Sequence, residues 1–164
     1  MGLFVARMVL RDHLYEGDSY FVEISEGEMV PSPMGDIACT RWQDIPAHFP
    51  DAELDEFKVM PNHIHGIIIL GGEFRRDVAC NVSTPQTMSS ISPKAGSLAT
   101  VMRSYKSAVS NECHTAGFRS FAWQPRYFDH IIRNEVDLHR IRLYIRNNVL
   151  QWALDKDDPG NIDP

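Results

Sequence analysis

The chain alternates between short β-like runs and longer helical ones. Leu3–Leu10 is apolar and rich in β-branched and aromatic residues, which predicts a strand. Asp12–Ser19 is polar and reads as a turn. Tyr20–Ile24 and Glu28–Val30 then form a short hairpin around Glu26-Gly27. Ser32-Pro33 is a helix start, with Ser as N-cap and Pro in the first turn, and the helix runs to about Ile45 before Pro46 and Pro50. Glu53–Met60 and His63–Leu70 flank a Pro61-Asn62 break and predict an antiparallel hairpin. Ser97–Asn111 places Leu98, Val101, Met102, Tyr105, Ala108 and Val109 on one helical face. Phe118–Gln124 reads as a short strand and Tyr127–Ile132 as an extended connector. Asn134 caps a last helix over Glu135–Leu154, whose Leu138, Ile141, Ile145, Val149 and Trp152 recur at three- and four-residue spacing.

Strand, helix, strand, strand, helix, strand and a terminal helix form the order of a split βαβ unit. The expected class is α+β: a ferredoxin-like antiparallel sheet with helices on one face, followed by the C-terminal helix. One domain spans 1–156. Within it, 71–96 is rich in Ser, Thr, Pro and Gly and reads as a mobile surface loop. Residues 157–164 read as a frayed acidic tail.

No apolar run approaches the roughly 20 residues of a membrane helix, so no membrane span is expected. Met1–Leu10 lacks a basic head and cleavage site, which predicts no signal peptide. Cys39, Cys80 and Cys113 are odd in number and lack CxxC spacing, so reduced thiols in a cytoplasm are expected.

The formal net charge of −6 at first opposes a nucleic-acid partner. Its distribution changes that picture. Residues 1–93 are net −8, residues 94–146 net +5, and residues 147–164 net −3. A basic block between acidic ones points to a polyanion-facing surface, or to helix faces with incidental arginines.

His63 and His65 stand two apart on the predicted strand, so both project to one face. Two imidazoles can then meet one cation, and a third ligand must come from elsewhere. Residue 67 is Ile, which excludes a histidine triad, and HExxH is absent. A pair of surface histidines is the plainer alternative. Gly66 removes a side chain beside the pair, as close approach of a ligand would need. On the last helix, Tyr144 and Asn148 are four apart and share a face. A phenol with an amide one turn on can place a nucleophile beside a metal ligand; a tyrosine packed at the core rim is the alternative.

These blocks combine in one pattern: VMPNHIHGIII, then SLATVMRSYKSAVS, then WQPRYFDHIIRNEVDLHRIRLYIRNN. Over residues 20–155 the pattern resembles the REP-associated tyrosine transposases and their insertion-sequence relatives, single-tyrosine members of the HUH nuclease group. The resemblance implies a ferredoxin-like fold and a nuclease and strand transferase acting on single-stranded or hairpin DNA. By position, His63 and His65 match the metal ligands, with Mg²⁺ or Mn²⁺ as cofactor. Tyr144 matches the nucleophile that forms a 5′-phosphotyrosine, and Asn148 the polar residue that helps hold the metal. Arg103, Lys106, Arg126, Arg140 and Arg146 are expected DNA contacts. Trp123, Tyr127 and Phe128 are candidates to stack on unpaired bases, with the core the more natural place for Trp123, Tyr105 and His130. Relatives arrange the tyrosine helix either within one chain or across a homodimer, and both arrangements stay open here. Two departures stand out: Val149 where the family commonly has Pro, and only Arg7 and Arg11 as basic residues in the first 40. A domesticated, catalytically inactive DNA-binding protein is the second reading.

Overall fold

The computed structural model describes the backbone of residues 2–9, 21–25, 28–71, 96–125 and 127–155, and side chains over 21–22, 30–71, 96–125 and 127–147. Residues 72–95 of the predicted loop and the acidic tail fall outside the described residues, as do Arg126 and the side chain of Asn148.

Among the described residues, six strands and four helices follow one another. They are β1 (Gly2–Val9), β2 (Val22–Ser25), β3 (Glu28–Pro31), α1 (Pro33–Gln43), α2 (Ile45–His48), β4 (Ala52–Val59), β5 (His63–Leu70), α3 (Leu98–Thr115), β6 (Phe128–Ile132) and α4 (Glu135–Asp155). Strands β2 and β3 form a separate hairpin. The other four make one sheet in the order β4-β5-β1-β6, with every neighbouring pair antiparallel. That is the ferredoxin-like arrangement expected from the sequence.

Local chemistry explains the helix ends. Ser32 Oγ accepts from the Gly35 amide at 3.2 Å, and Ser97 Oγ accepts from the Thr100 amide at 3.3 Å. The same device recurs at α4, where Asn134 Oδ1 accepts from the Asp137 amide at 2.8 Å. Helix α1 stops at Gln43, short of the predicted end, and Pro46 lies in the first turn of the short α2 instead. Helix α3 runs on to Thr115 and ends before Gly117, whose φ is +102°.

One expected strand is displaced. The edge strand is Phe128–Ile132, not Phe118–Gln124. The earlier segment is irregular because its aromatics are drawn into the core. Phe121 and Trp123 pack edge to face with ring centroids 5.3 Å apart, and Trp123 Nε1 donates to the Lys106 carbonyl at 3.1 Å.

The sheet has two differently covered faces. On one, Ile64, Ile68, Leu70 and Val59 pack with Trp42 of α1 and Val101, Met102, Tyr105 and Val109 of α3. On the other, Ile67 and Ile132 pack under Leu138 and Ile145 of α4, with Ile141 alongside. The pleat alone assigns these sets, because 64 and 68 alternate with 67 along β5. Helices α1 and α3 thus share one face, and the C-terminal helix crosses the other.

Gly66 belongs to the first face. A Cβ there would lie 2.3 Å from the Trp42 indole, whose ring stacks on Phe57 at 4.7 Å. This glycine makes room for an indole in the core, and the expectation that it clears space for a ligand is corrected.

Candidate active site

The second face carries the two histidines, which alternate with Ile64 and Gly66 along β5. His65 lies across from Lys58 on β4 and from Arg7 on β1. Both His63 and His65 are 4% exposed. Their Nε2 atoms are 3.0 Å apart, with the rings perpendicular. Two imidazole nitrogens at about 2.1 Å from one cation, subtending a right angle, would be about 3.0 Å apart. The donor set therefore fits a divalent cation that accepts imidazole, as Mn²⁺ does.

A residue that the sequence pattern does not single out holds the pair in this pose. Asn62 Oδ1 lies 2.7 Å from His63 Nδ1. The amide oxygen can only accept, so Nδ1 carries the proton and the Nε2 facing His65 carries the lone pair. A neighbour that fixes the tautomer in this way is the usual companion of a metal-binding histidine. Its one sequence signal is its place directly before His63. Among the described residues, no cluster of three His, Cys, Asp or Glu side chains could hold a metal. Within the described residues a third protein ligand would be of another type, and the amide expected at Asn148 is a candidate.

Tyr144 meets this pair within the same chain. Its ring lies edge-on to His65 with centroids 5.6 Å apart, and the residue is 48% exposed. The backbone of residue 148 follows one turn further along α4. The rival tyrosines stand elsewhere. Tyr105 is buried and donates to the Ala38 carbonyl at 3.0 Å. Tyr127 is half-buried against the core of the α1/α3 face.

Helix α4 is held over the site by ion pairs to an irregular stretch of β4. The register of that strand shifts between Leu54 and Phe57, which re-aims Asp55 and Glu56. Arg142 Nε and Nη2 both donate to Asp55 Oδ2, at 2.9 and 2.7 Å. Arg146 donates through Nε to Glu56 Oε1 at 2.7 Å and through Nη2 to the same oxygen. Arg142 and Arg146 are one turn apart, and Tyr144 lies between them on the other side of the helix. The pairs thus set the rotation that turns Tyr144 toward His65.

The expected DNA contacts are scattered. Arg140 donates to Asp137 Oδ1 at 2.8 Å and lies one turn before Tyr144, on the same stripe. Arg146 is engaged with Glu56. Arg103 is exposed on α3, in the layer across the sheet from Tyr144. Lys106 is in that layer too and donates to the Gln124 carbonyl at 2.6 Å. Burial pushes its ammonium pKa down, and it ties the 121–124 segment to α3. Trp123 is buried, whereas Phe128 is 65% exposed on the edge strand, in the sheet row of His65. His130, expected to pack, instead stands at the surface with Nε2 3.1 Å from Asp137 Oδ2. An edge strand has no outer neighbour to pack against. The bond from His130, and after it that from Arg140, holds the Asp137 carboxyl below the usual carboxylate range.

No family model matches the chain. It is 30% identical over 138 residues to an uncharacterised protein of Haemophilus influenzae, an alignment covering 83% of this chain and 76% of that one. The chain belongs to that protein's family. Among solved structures, a REP-associated tyrosine transposase bound to a REP hairpin matches with a TM-score of 0.59 at 18% identity, over 92% of this chain and 68% of the other. The two share a fold. Among the described residues, no helix is long and apolar enough to cross a membrane.

Proposed function

We propose that the chain is a transposase-like DNA endonuclease and strand transferase that works through Tyr144. One observation carries the reading: within a single chain, Tyr144 sits edge-on to His65, itself paired Nε2 to Nε2 with His63. The shared fold with a transposase that binds a REP hairpin, and the order of the sequence blocks, support DNA as the partner.

His63, His65 and Asn148 would hold a divalent cation, Mg²⁺ or Mn²⁺. When bound, that cation polarises the scissile phosphate and neutralises the charge that develops on it. Asn62 keeps the His63 lone pair directed to this position. The Arg142–Asp55 and Arg146–Glu56 pairs keep Tyr144 facing it. Tyr144 Oη attacks phosphorus, the O3′–P bond breaks, and a 5′-phosphotyrosine and a free 3′-hydroxyl result. The phenol proton leaves Tyr144 Oη as the new O–P bond forms, and the departing O3′ takes one up. Attack by a 3′-hydroxyl on the phosphotyrosine reverses the step and joins strands without an external energy source.

The test uses labelled hairpin DNA with a single-stranded flank, incubated with the protein and Mn²⁺ or Mg²⁺. A denaturant-resistant adduct is expected with wild type, and none with Tyr144→Phe. An adduct of equal yield on the phenylalanine variant would sink the assignment. Salt-dependent binding with no adduct under either metal would favour the catalytically inactive DNA-binding protein.

A further inference from the structure

Strand β4 presents a cation to the histidine pair that nothing in the motif pattern suggests. Lys58 is the register partner of His65. Its neighbours on the strand fix its side. Phe57 stacks on Trp42, and Val59 is buried with Ile64 in the α1/α3 core. Alternation then sends the half-buried Lys58 to the opposite face, where His63 and His65 lie. Directly opposed residues on neighbouring strands have Cα atoms about 4.5–5.5 Å apart. A lysine stem is long enough to bring Nζ beside any group held on the His65 imidazole.

Charge accounting distinguishes this lysine from the arginines around it. Arg142 and Arg146 are matched by Asp55 and Glu56, the residues just before Phe57, and Arg140 by Asp137. Among the described residues, Lys58 has no carboxylate partner. A half-buried ammonium with no carboxylate partner among the described residues, opposite two imidazoles disposed for a cation, would be repelled by that cation alone. An anion joining them would balance the arrangement.

We propose that Lys58 is a further substrate-binding residue of this centre, donating from Nζ to a non-bridging oxygen of the phosphate held at His63 and His65. The inference rests on the reading of the site as a phosphoryl-transfer centre. It adds a contact that stabilises charge on the phosphorus oxygens as Tyr144 attacks.

Lys58→Met keeps the apolar stem and removes the charge, and Lys58→Arg keeps a donor. With the hairpin DNA and Mn²⁺, adduct formation at saturating DNA should slow about 10- to 100-fold in Lys58→Met and stay within a few-fold in Lys58→Arg. The salt slope for binding a short single-stranded oligonucleotide should shrink by about 0.7 in Lys58→Met, the loss of one phosphate contact. Mn²⁺ alone should bind Lys58→Met as tightly as wild type or a few-fold more tightly, because a repulsive charge is gone. A merely structural lysine would instead lower Mn²⁺ affinity together with thermal stability, and that outcome overturns the proposal. So does an unchanged adduct rate with an unchanged salt slope. If wild type forms no adduct, the nucleophile reading fails by itself. The salt slope and Mn²⁺ affinity then still decide Lys58, and no change in either rejects it.

Discussion

The two faces of one sheet are built on different principles. Strand β5 supplies both, residue by residue. Ile64, Gly66 and Ile68 look into a core closed by α1 and α3, where Trp42 fills the space a side chain at 66 would take. His63, His65 and Ile67 look toward α4, and of these Ile67 meets the apolar partners there. The first face is held by shape and apolar area. The second is held at its margin by Arg142–Asp55 and Arg146–Glu56, pairs that are partly exposed and individually weak. A fold secured on one side can carry polar, exposed and chemically capable groups on the other.

The largest expected effect falls on the secured face. Trp42→Ala should cost about 3–5 kcal/mol, as loss of a buried large aromatic does, and be visible as an earlier urea midpoint. His65→Ala should cost clearly less and still abolish the adduct. Equal losses of stability would break the contrast between the faces.

A middle-sized effect belongs to the neighbour of the histidine pair. Asn62→Ala should weaken Mn²⁺ binding about 10- to 100-fold, measured by titration calorimetry, with little change in the urea midpoint. Unaltered affinity would mean that the 2.7 Å contact does not orient His63 toward a ligand.

The smallest effect concerns acid. The Asp137 carboxyl is held below its ordinary pKa of 3.8, chiefly by its bond from His130. A depressed folded-state pKa contributes stability that is complete above the ordinary value and fades as pH falls through the lower one. Melting curves recorded downward from about pH 5 should therefore fall less steeply for Asp137→Asn than for wild type. Parallel curves would show that the trio of His130, Asp137 and Arg140 adds nothing to the anchoring of α4.

What can be read from the sequence follows the same division. The helices, the β4–β5 hairpin and the shared facing of His63 and His65 rest on local periodicity, and the structure keeps them. The edge strand is the exception, because Phe121 and Trp123 look like strand residues, whereas their destination is set by α3. Gly66 misleads because its partner, Trp42, lies 24 residues away, and no local pattern links them. Arginines 142 and 146 look free in sequence because their carboxylates come from an irregular stretch of another strand. Lys58 carries no signal of its own because its meaning depends on cross-strand register. Periodicity reveals which way a residue faces, but not what faces it.

The contact between Tyr144 and His65 inside one chain has a genetic corollary. If one polypeptide holds both halves of the centre, a copy lacking the tyrosine and a copy lacking the histidines cannot restore each other. Mixed in one tube or expressed in one cell, two such defective alleles should fail to complement. Each intact molecule would also carry a single covalently bound strand end. Exchange between two broken strands would then take either two molecules or two successive turns of the same one.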